Sequence, residues 1–222
     1  MFTLLAVVTT MALADHNVLT PKETKDGWKL LFDGKTTKGW HNFKSNTIQS
    51  GWTTADGTLS ITDPSKAGDI VSDEKFSSFE MKIDYRMSKG GNSGVMFHVE
   101  DAGDATWNSG PEFQLLDNPA FTNAQQAGWL YDLYSSKVDA TKPAGEWNTL
   151  RIMISKKECF SEMNGVRYVT FNLGSDDFKA RVAKSKFSGY AHFGNLGSGS
   201  IAIQGDHGVV SFRNIKIRPI KD

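Results

Sequence analysis

The chain reads as an all-β protein, a jelly-roll sandwich of two stacked antiparallel sheets with one sheet face left open and polar. Three observations carry this reading. Short runs of alternating apolar and polar residues recur along the whole length. Turn residues punctuate them, with 21 glycines among 222 residues. Helix-period stretches are scarce, and neither a β-α-β alternation nor an internal repeat occurs. Two stacked sheets bury such a pattern best, and the length suffices for one well-buried core.

The bulk composition narrows the function classes. Lys plus Arg balance Asp plus Glu, 25 against 25, which argues against a nucleic-acid protein, since that would need a basic excess. Residues 1–14 are uncharged and mostly apolar, and Ala12-Leu13-Ala14 gives the small-x-small pattern of a signal-peptidase site. The run is too short for a stable membrane span. It predicts an exported protein, periplasmic or extracellular, with residues 15–222 as one mature domain. The lone Cys159 has no internal disulfide partner and reads as a small core residue.

In chain order, Thr20-Pro21-Lys22-Glu23 is a capping box that opens a short helix, stopped at Gly27. Leu30, Leu31 and Phe32 form a strand before an Asp33-Gly34 turn, and Trp28 and Trp40 pack at the sandwich edge. Asp56-Gly57 turns a hairpin. Residues 68–72 form another short strand. Residues 79–87 make the cleanest strand, with Phe79, Met81, Ile83, Tyr85 and Met87 on one face. Glu80, Lys82, Asp84 and Arg86 occupy the other. Residues 92–100 alternate again. Val95, Phe97 and Val99 point inward, while Asn92, Gly94, Met96 and His98 point outward. Gly94 leaves room for a close approach to the backbone. Glu100, Asp101 and Asp104 are carboxylates of a type that binds calcium, but without the spacing of an EF-hand; the loop 101–109 reads as solvated.

Gly110-Pro111-Glu112-Phe113-Gln114-Leu115-Leu116-Asp117 is the stretch on which function turns. Phe113 and Leu115 share the core face, so Glu112 and Gln114 stand together on the open face. A bulge near Leu116 would add Asp117 to the row. Residues 118–146 form a long connection whose Trp129 and Tyr131 are candidates to stack on the apolar C–H faces of a sugar. A strand over 150–154 and an Asn164-Gly165 hairpin follow. Next come a lysine-rich connection (177–186) and a strand in which Ile201 and Ile203 face the core. Ala202 and Gln204 therefore face the same open surface as Glu112. The final strand, 209–220, changes phase at Arg213-Asn214, which predicts a bulge.

Several of these stretches together resemble the 3-keto-disaccharide hydrolase domain family, first known as a domain of unknown function. They are GWKLLFDGKTTKGW (27–40), FEMKIDYR with GGNSGVMF (79–97), GPEFQLLD (110–117), PAGEWNTLRI (143–152), MNG (163–165) and IQGDHGVVSFRNIKI (203–217), in the family's order. The resemblance covers residues 20–220. It implies a concanavalin A-like jelly roll and a carbohydrate substrate, a 3-keto-glycoside, cleaved by elimination and hydration. Such a substrate implies a functional link to a sugar 3-dehydrogenase that makes the ketone.

On that resemblance Glu112 and His207 are the acid/base pair, with the proton-abstracting role open between them. Asn92, Gln114 and Gln204 can hydrogen-bond hydroxyls or the enolate, and Arg86 is the positive charge. Asp117 and Asp206 can orient neighbours or bind a cation. A divalent metal as Lewis acid on the ketone is left unassigned. His207, Asp206, Glu112 and His98 are suitable ligand types, but no close ligand spacing joins them.

Two other readings compete. A conventional glycosidase on this fold would carry Glu-x-Asp-x-(x)-Glu, whereas here the row is Glu112-x-Gln114-x-x-Asp117, short of the two carboxyls about 5–5.5 Å apart that retention needs. A carbohydrate-binding module would keep the aromatics and polar row but need no acid/base pair. A purely structural sandwich leaves the grouping of Asn92, Glu112, Gln114 and Gln204 without a role.

Overall fold

A computed structural model describes residues 16–101, 103–121 and 125–221. The leader expected over residues 1–14 lies outside them. The chain opens with helix α1 (Pro21–Lys25), whose capping box is formed between Thr20 and Glu23. Then come strands β1 (Lys29–Leu30), β2 (Trp40–Asn42), β3 (Trp52–Ala55), β4 (Thr58–Ile61), β5 (Ile70–Phe76), β6 (Phe79–Met87), β7 (Asn92–Val99) and β8 (Glu112–Leu116). After the long connection follow β9 (Asn148–Ile154), β10 (Cys159–Met163), β11 (Val166–Phe171), helix α2 (Asp176–Lys184), β12 (Gly199–Ile203) and β13 (Val210–Pro219).

The strands form two antiparallel sheets. The larger runs β11-β10-β9-β6-β13-β4-β3, with β1 also on β13, and the smaller runs β2-β5-β12-β7-β8. The jelly-roll sandwich expected from the sequence is what forms. Between the sheets lie the apolar faces read from the alternation. Met81, Ile83 and Tyr85 of β6 meet Val95 and Phe97 of β7 and Phe113 and Leu115 of β8 in one buried cluster. Cys159 is buried in the same core. Among the described residues no helix is long and apolar enough to cross a membrane.

Local chemistry sets the turns. Asp56-Gly57 and Asn164-Gly165 take φ of 49° and 71°, and 52° and 84°, the paired left-handed values of a type I′ hairpin. The phase change in β13 is a bulge at Asn214, φ 50°. Asn214 and Asn17 exchange backbone N–H to side-chain oxygen bonds there, 2.8 and 2.7 Å.

Four expectations need correction. The apolar run at 30–32 is strand only at Lys29–Leu30, with one further bond from the Leu31 N–H to the Ile215 carbonyl at 2.8 Å, because Asp33 accepts N–H bonds from Lys35 and Thr36 and turns the chain away. The lysine-rich connection is mostly α2, capped by Ser175 on the Phe178 N–H. Ala202, expected on the open face, is buried with Val71, Met96 and Val99, against which Phe43 packs. That cluster closes half of the small sheet's outer face. His98 is expected on the open face too, but its φ of 53° sits at a register shift between β7 and β12. The bulge turns the ring to the Ser77 carbonyl, 2.7 Å away, and edge-on to Phe79.

The outer face of the large sheet is held by ions. Glu80 is buried and receives Arg151 Nε at 2.6 Å and Arg218 Nε at 2.7 Å. Both arginines are about a third exposed and Arg151 also holds Glu162 at 2.7 Å, so the loss is that of the hydrogen bonds to a buried carboxylate. Glu80→Ala is expected to cost ~1.5–3 kcal/mol in urea unfolding. A loss under ~0.5 kcal/mol, as for an exposed pair, would show that this network does not support the sheet.

Candidate active site

The open half of the small sheet is walled into a cleft of about 260 Å³. Its floor is β8 beside β7, where Gln114 lies opposite Gly94 and Glu112 opposite Met96. The close approach that Gly94 allows is that of Glu112. A methyl group on Gly94 would overlap Glu112 Oε1 and lie 2.6 Å from its carboxyl carbon. The long connection then returns along β8. Gly128 donates to the Gln114 carbonyl at 2.8 Å, Gln114 to that of Trp129 at 3.0 Å, and Tyr131 to that of Glu112 at 2.9 Å. This pairing brings Tyr131 into the cleft wall.

On the other side, Gln204 leaves β12 with its N–H on the Gly94 carbonyl, 3.0 Å. Gly205 then packs so tightly on Gly68 that no side chain fits. That contact sets the start of the turn carrying His207. Trp107 and the pair Lys186 and Phe187 complete the walls.

The electrostatics separate two groups. Glu112 is 8 % exposed. Burial pushes its carboxyl up from 4.5 to about 8, the charges of Asp69 and Asp206 add to this, and Lys186 opposes it. Glu112 is therefore mostly protonated at neutral pH. His207 is half exposed, and its Nδ1 meets Asp206 Oδ1. A carboxylate only accepts, so Nδ1 carries a proton, and in the neutral ring Nε2 is then the acceptor. Lys186 Nζ lies 4.2 Å from the Tyr131 ring centre and 5.1 Å from that of Phe187. Asn92 Oδ1 and Gln114 Oε1 are buried without a hydrogen-bond partner. Two orphaned acceptors lining one cleft are suited to the hydroxyl donors of a sugar.

Of the residues singled out in the sequence, Glu112, His207, Asn92, Gln114, Tyr131 and Gln204 share this cleft, and Asp206 is bonded to His207. Three others lie elsewhere. Arg86 stands on the outer face of the large sheet, its guanidinium 4.8 Å from the Trp147 ring centre. Asp117 does not reach the row, because β7 and β8 pair without a bulge; its Oδ2 accepts the Gly90 N–H at 2.8 Å. Trp129 packs partly buried against the core.

Lys186, Trp107 and Asp69 line or support the cleft without a pattern to single them out: Lys186 and Trp107 lie outside any strand, and Asp69, expected within a strand over 68–72, stands just before β5. Asp69 accepts the Gly205 N–H at 3.1 Å and the Thr106 hydroxyl, so one carboxylate holds both the His207 turn and the Trp107 turn.

The donor set does not fit a metal. His98 is remote from the cleft, and among the described residues no three His, Cys, Asp or Glu side chains gather as ligands. The loop acids are engaged otherwise. Asp101 takes His41 and the Lys44 N–H, Asp104 takes Lys44, and Glu100 takes His192. Nor is a retaining pair present, since Glu112 is the one carboxyl among the described cleft-lining residues.

Comparisons with known proteins give the chain a family and a fold. A family model described as a 3-keto-alpha-glucoside-1,2-lyase-like domain matches residues 27–218. A Bacteroides thetaiotaomicron protein named 3-keto-disaccharide hydrolase is 30% identical over 228 aligned residues, covering 87% of this chain and 78% of that protein. Two crystal structures of candidate glycosyl hydrolases from Parabacteroides distasonis superpose well. One has a TM-score of 0.85 at 28% identity, covering 93% of this chain and all of that one. The other has 0.67 at 26%, covering 87% and 99%.

Proposed function

The chain belongs to the 3-keto-alpha-glucoside-1,2-lyase-like domain family, and from that premise we propose that it cleaves 3-keto-glycosides by elimination followed by hydration. The observation that carries the reading is the pairing, in one cleft, of a buried carboxyl held protonated with an imidazole oriented by a carboxylate.

A ketone at C3 makes the C2 hydrogen acidic, because the carbanion is an enolate. His207 Nε2 takes that proton, and the electrons of the C–H bond pass to the C3 oxygen. The Lys186 ammonium and the side-chain amides of Asn92, Gln114 and Gln204 supply the positive charge and donors that an enolate needs. The enolate then reforms the ketone and expels the C1 oxygen, which takes the proton of Glu112. A 3-keto-2-hydroxyglucal and the free aglycone result. In the return step water adds at C1, its proton passes to the Glu112 carboxylate, and the half-exposed His207, its ring proton exchanged with solvent, protonates C2. Both groups end as they began, and one water is consumed. Each proton transfer is worth ~10²–10⁴-fold. The ketone must come from an oxidation at C3, so a sugar 3-dehydrogenase acts before this protein.

Since Glu112 acts in its protonated form, kcat/KM is expected to fall as pH rises through about 8. The Asp69 charge helps to hold that value up. Asp69→Asn should therefore move the alkaline limb to lower pH. A limb that stays in place in Asp69→Asn would show that the Asp69 charge does not tune it, and a rate that keeps rising past pH 9 would exclude Glu112 as the acid.

A further inference from the structure

We propose that a second cavity, behind Trp107, is the subsite for the departing sugar ring of a disaccharide; this rests on the reading just given. The 3-10 turn Thr106–Asn108 stands between two hollows. Trp107 lines the cleft, while its neighbour Asn108 lines an adjoining cavity of about 230 Å³ together with Tyr190, His192 and Glu100.

Neither hollow alone reaches the ~300–1,000 Å³ of a site that holds a complete ligand, so a disaccharide needs both. The ridge that separates them is aromatic. Trp107 is 38% exposed, and its ring meets Tyr190 at 5.3 Å and 86°. One ring thus borders the cleft and the other, set at a right angle, borders the second cavity. A pyranose with its apolar C–H face and polar edge suits such a pair.

The polar groups of the second cavity also suit a sugar. Asn108 Oδ1 is buried without a partner, as are the two orphaned acceptors of the cleft. His192 Nδ1 meets Glu100 Oε2 at 2.5 Å, a pair with donor and acceptor capacity left over for hydroxyls. The ridge is also fixed in place. Thr106 is bonded to Asp69, and Gly194 donates to the Ser109 carbonyl at 2.9 Å. The two hollows are therefore held in a constant relation. The scissile ring would occupy the cleft over Glu112 and His207, and the aglycone ring the cavity at Asn108 and Tyr190.

The test compares two substrates on the full chain, a 3-keto-disaccharide and methyl 3-keto-glucoside, which lacks the second ring. Tyr190→Ala and, separately, Asn108→Ala are expected to raise KM for the disaccharide about tenfold or more. The methyl glycoside should change less than twofold, and its turnover also shows that each variant is folded. Equal effects on both substrates, or none on either, would overturn the subsite while leaving the chemistry standing. A wild-type protein inert toward both substrates would remove the proposed function and the subsite with it.

Discussion

Glu112→Gln is expected to abolish cleavage and at the same time make the protein more stable. Gln has the shape of the protonated acid but no proton to give, so kcat should fall by ~10²–10⁴-fold. The stability effect follows from linkage. Burial raises the carboxyl from 4.5 to about 8. A folded-state value above the unfolded one gives stability that is complete below about pH 4.5 and is lost progressively as pH rises to about 8. At ~1.4 kcal/mol per unit the loss by pH 8 has a ceiling on the order of 4–5 kcal/mol. Gln never ionises and avoids it. Melting temperatures of the two proteins should nearly coincide at pH 4.5. They should separate by several degrees at pH 8, with Glu112→Gln the higher, at roughly 2–4 °C per kcal/mol for a chain of this size. A gap independent of pH would mean that Glu112 is not a buried, reluctantly ionised group.

Gly94→Ala should be nearly as damaging to activity, although Gly94 has no side chain to offer. A methyl group there would overlap the Glu112 carboxylate and lie 2.7 Å from its Cγ. Either the carboxylate rotates out of the cleft or β7 and β8 move apart. The expected result is ~10²-fold or more off kcat, with ~1–3 kcal/mol of stability lost to overpacking. Because both changes act through one group, Gly94→Ala combined with Glu112→Gln should lose little more activity than Glu112→Gln alone. Full activity in Gly94→Ala would show that the carboxylate does not work from where it lies.

The parts of the molecule legible in the sequence are those governed by local rules. Period-two alternation gave away β6 and β8, because one face of each packs into the core with apolar side chains while the other carries polar ones. Asp56-Gly57 and Asn164-Gly165 were legible because positive φ at two successive residues selects those side chains. The Glu112, Gln114 and Gln204 row followed from phase alone.

What escaped depends on contacts distant in the chain. Helix α2 carries one fully buried side chain, Phe178, so its apolar period is faint. Its signal lay in the ends, with Ser175 as cap, Asp176 and Asp177 in the first turn and Arg181 and Lys184 in the last. His98 was misplaced because one left-handed residue inverts the phase of a strand. Lys186 replaces Arg86 as the cation of the cleft for a similar reason. A polar face on a strand does not reveal which of two sheets it belongs to.

The most direct test of the central claim is proton NMR of cleavage in D₂O, with a 3-keto-glucoside beside the ordinary glucoside. Elimination and hydration predict aglycone release from the keto sugar alone, with deuterium entering at C2 of the product. Release from the ordinary glucoside, or from the keto sugar with the C2 proton retained, would contradict the account and point to displacement at C1.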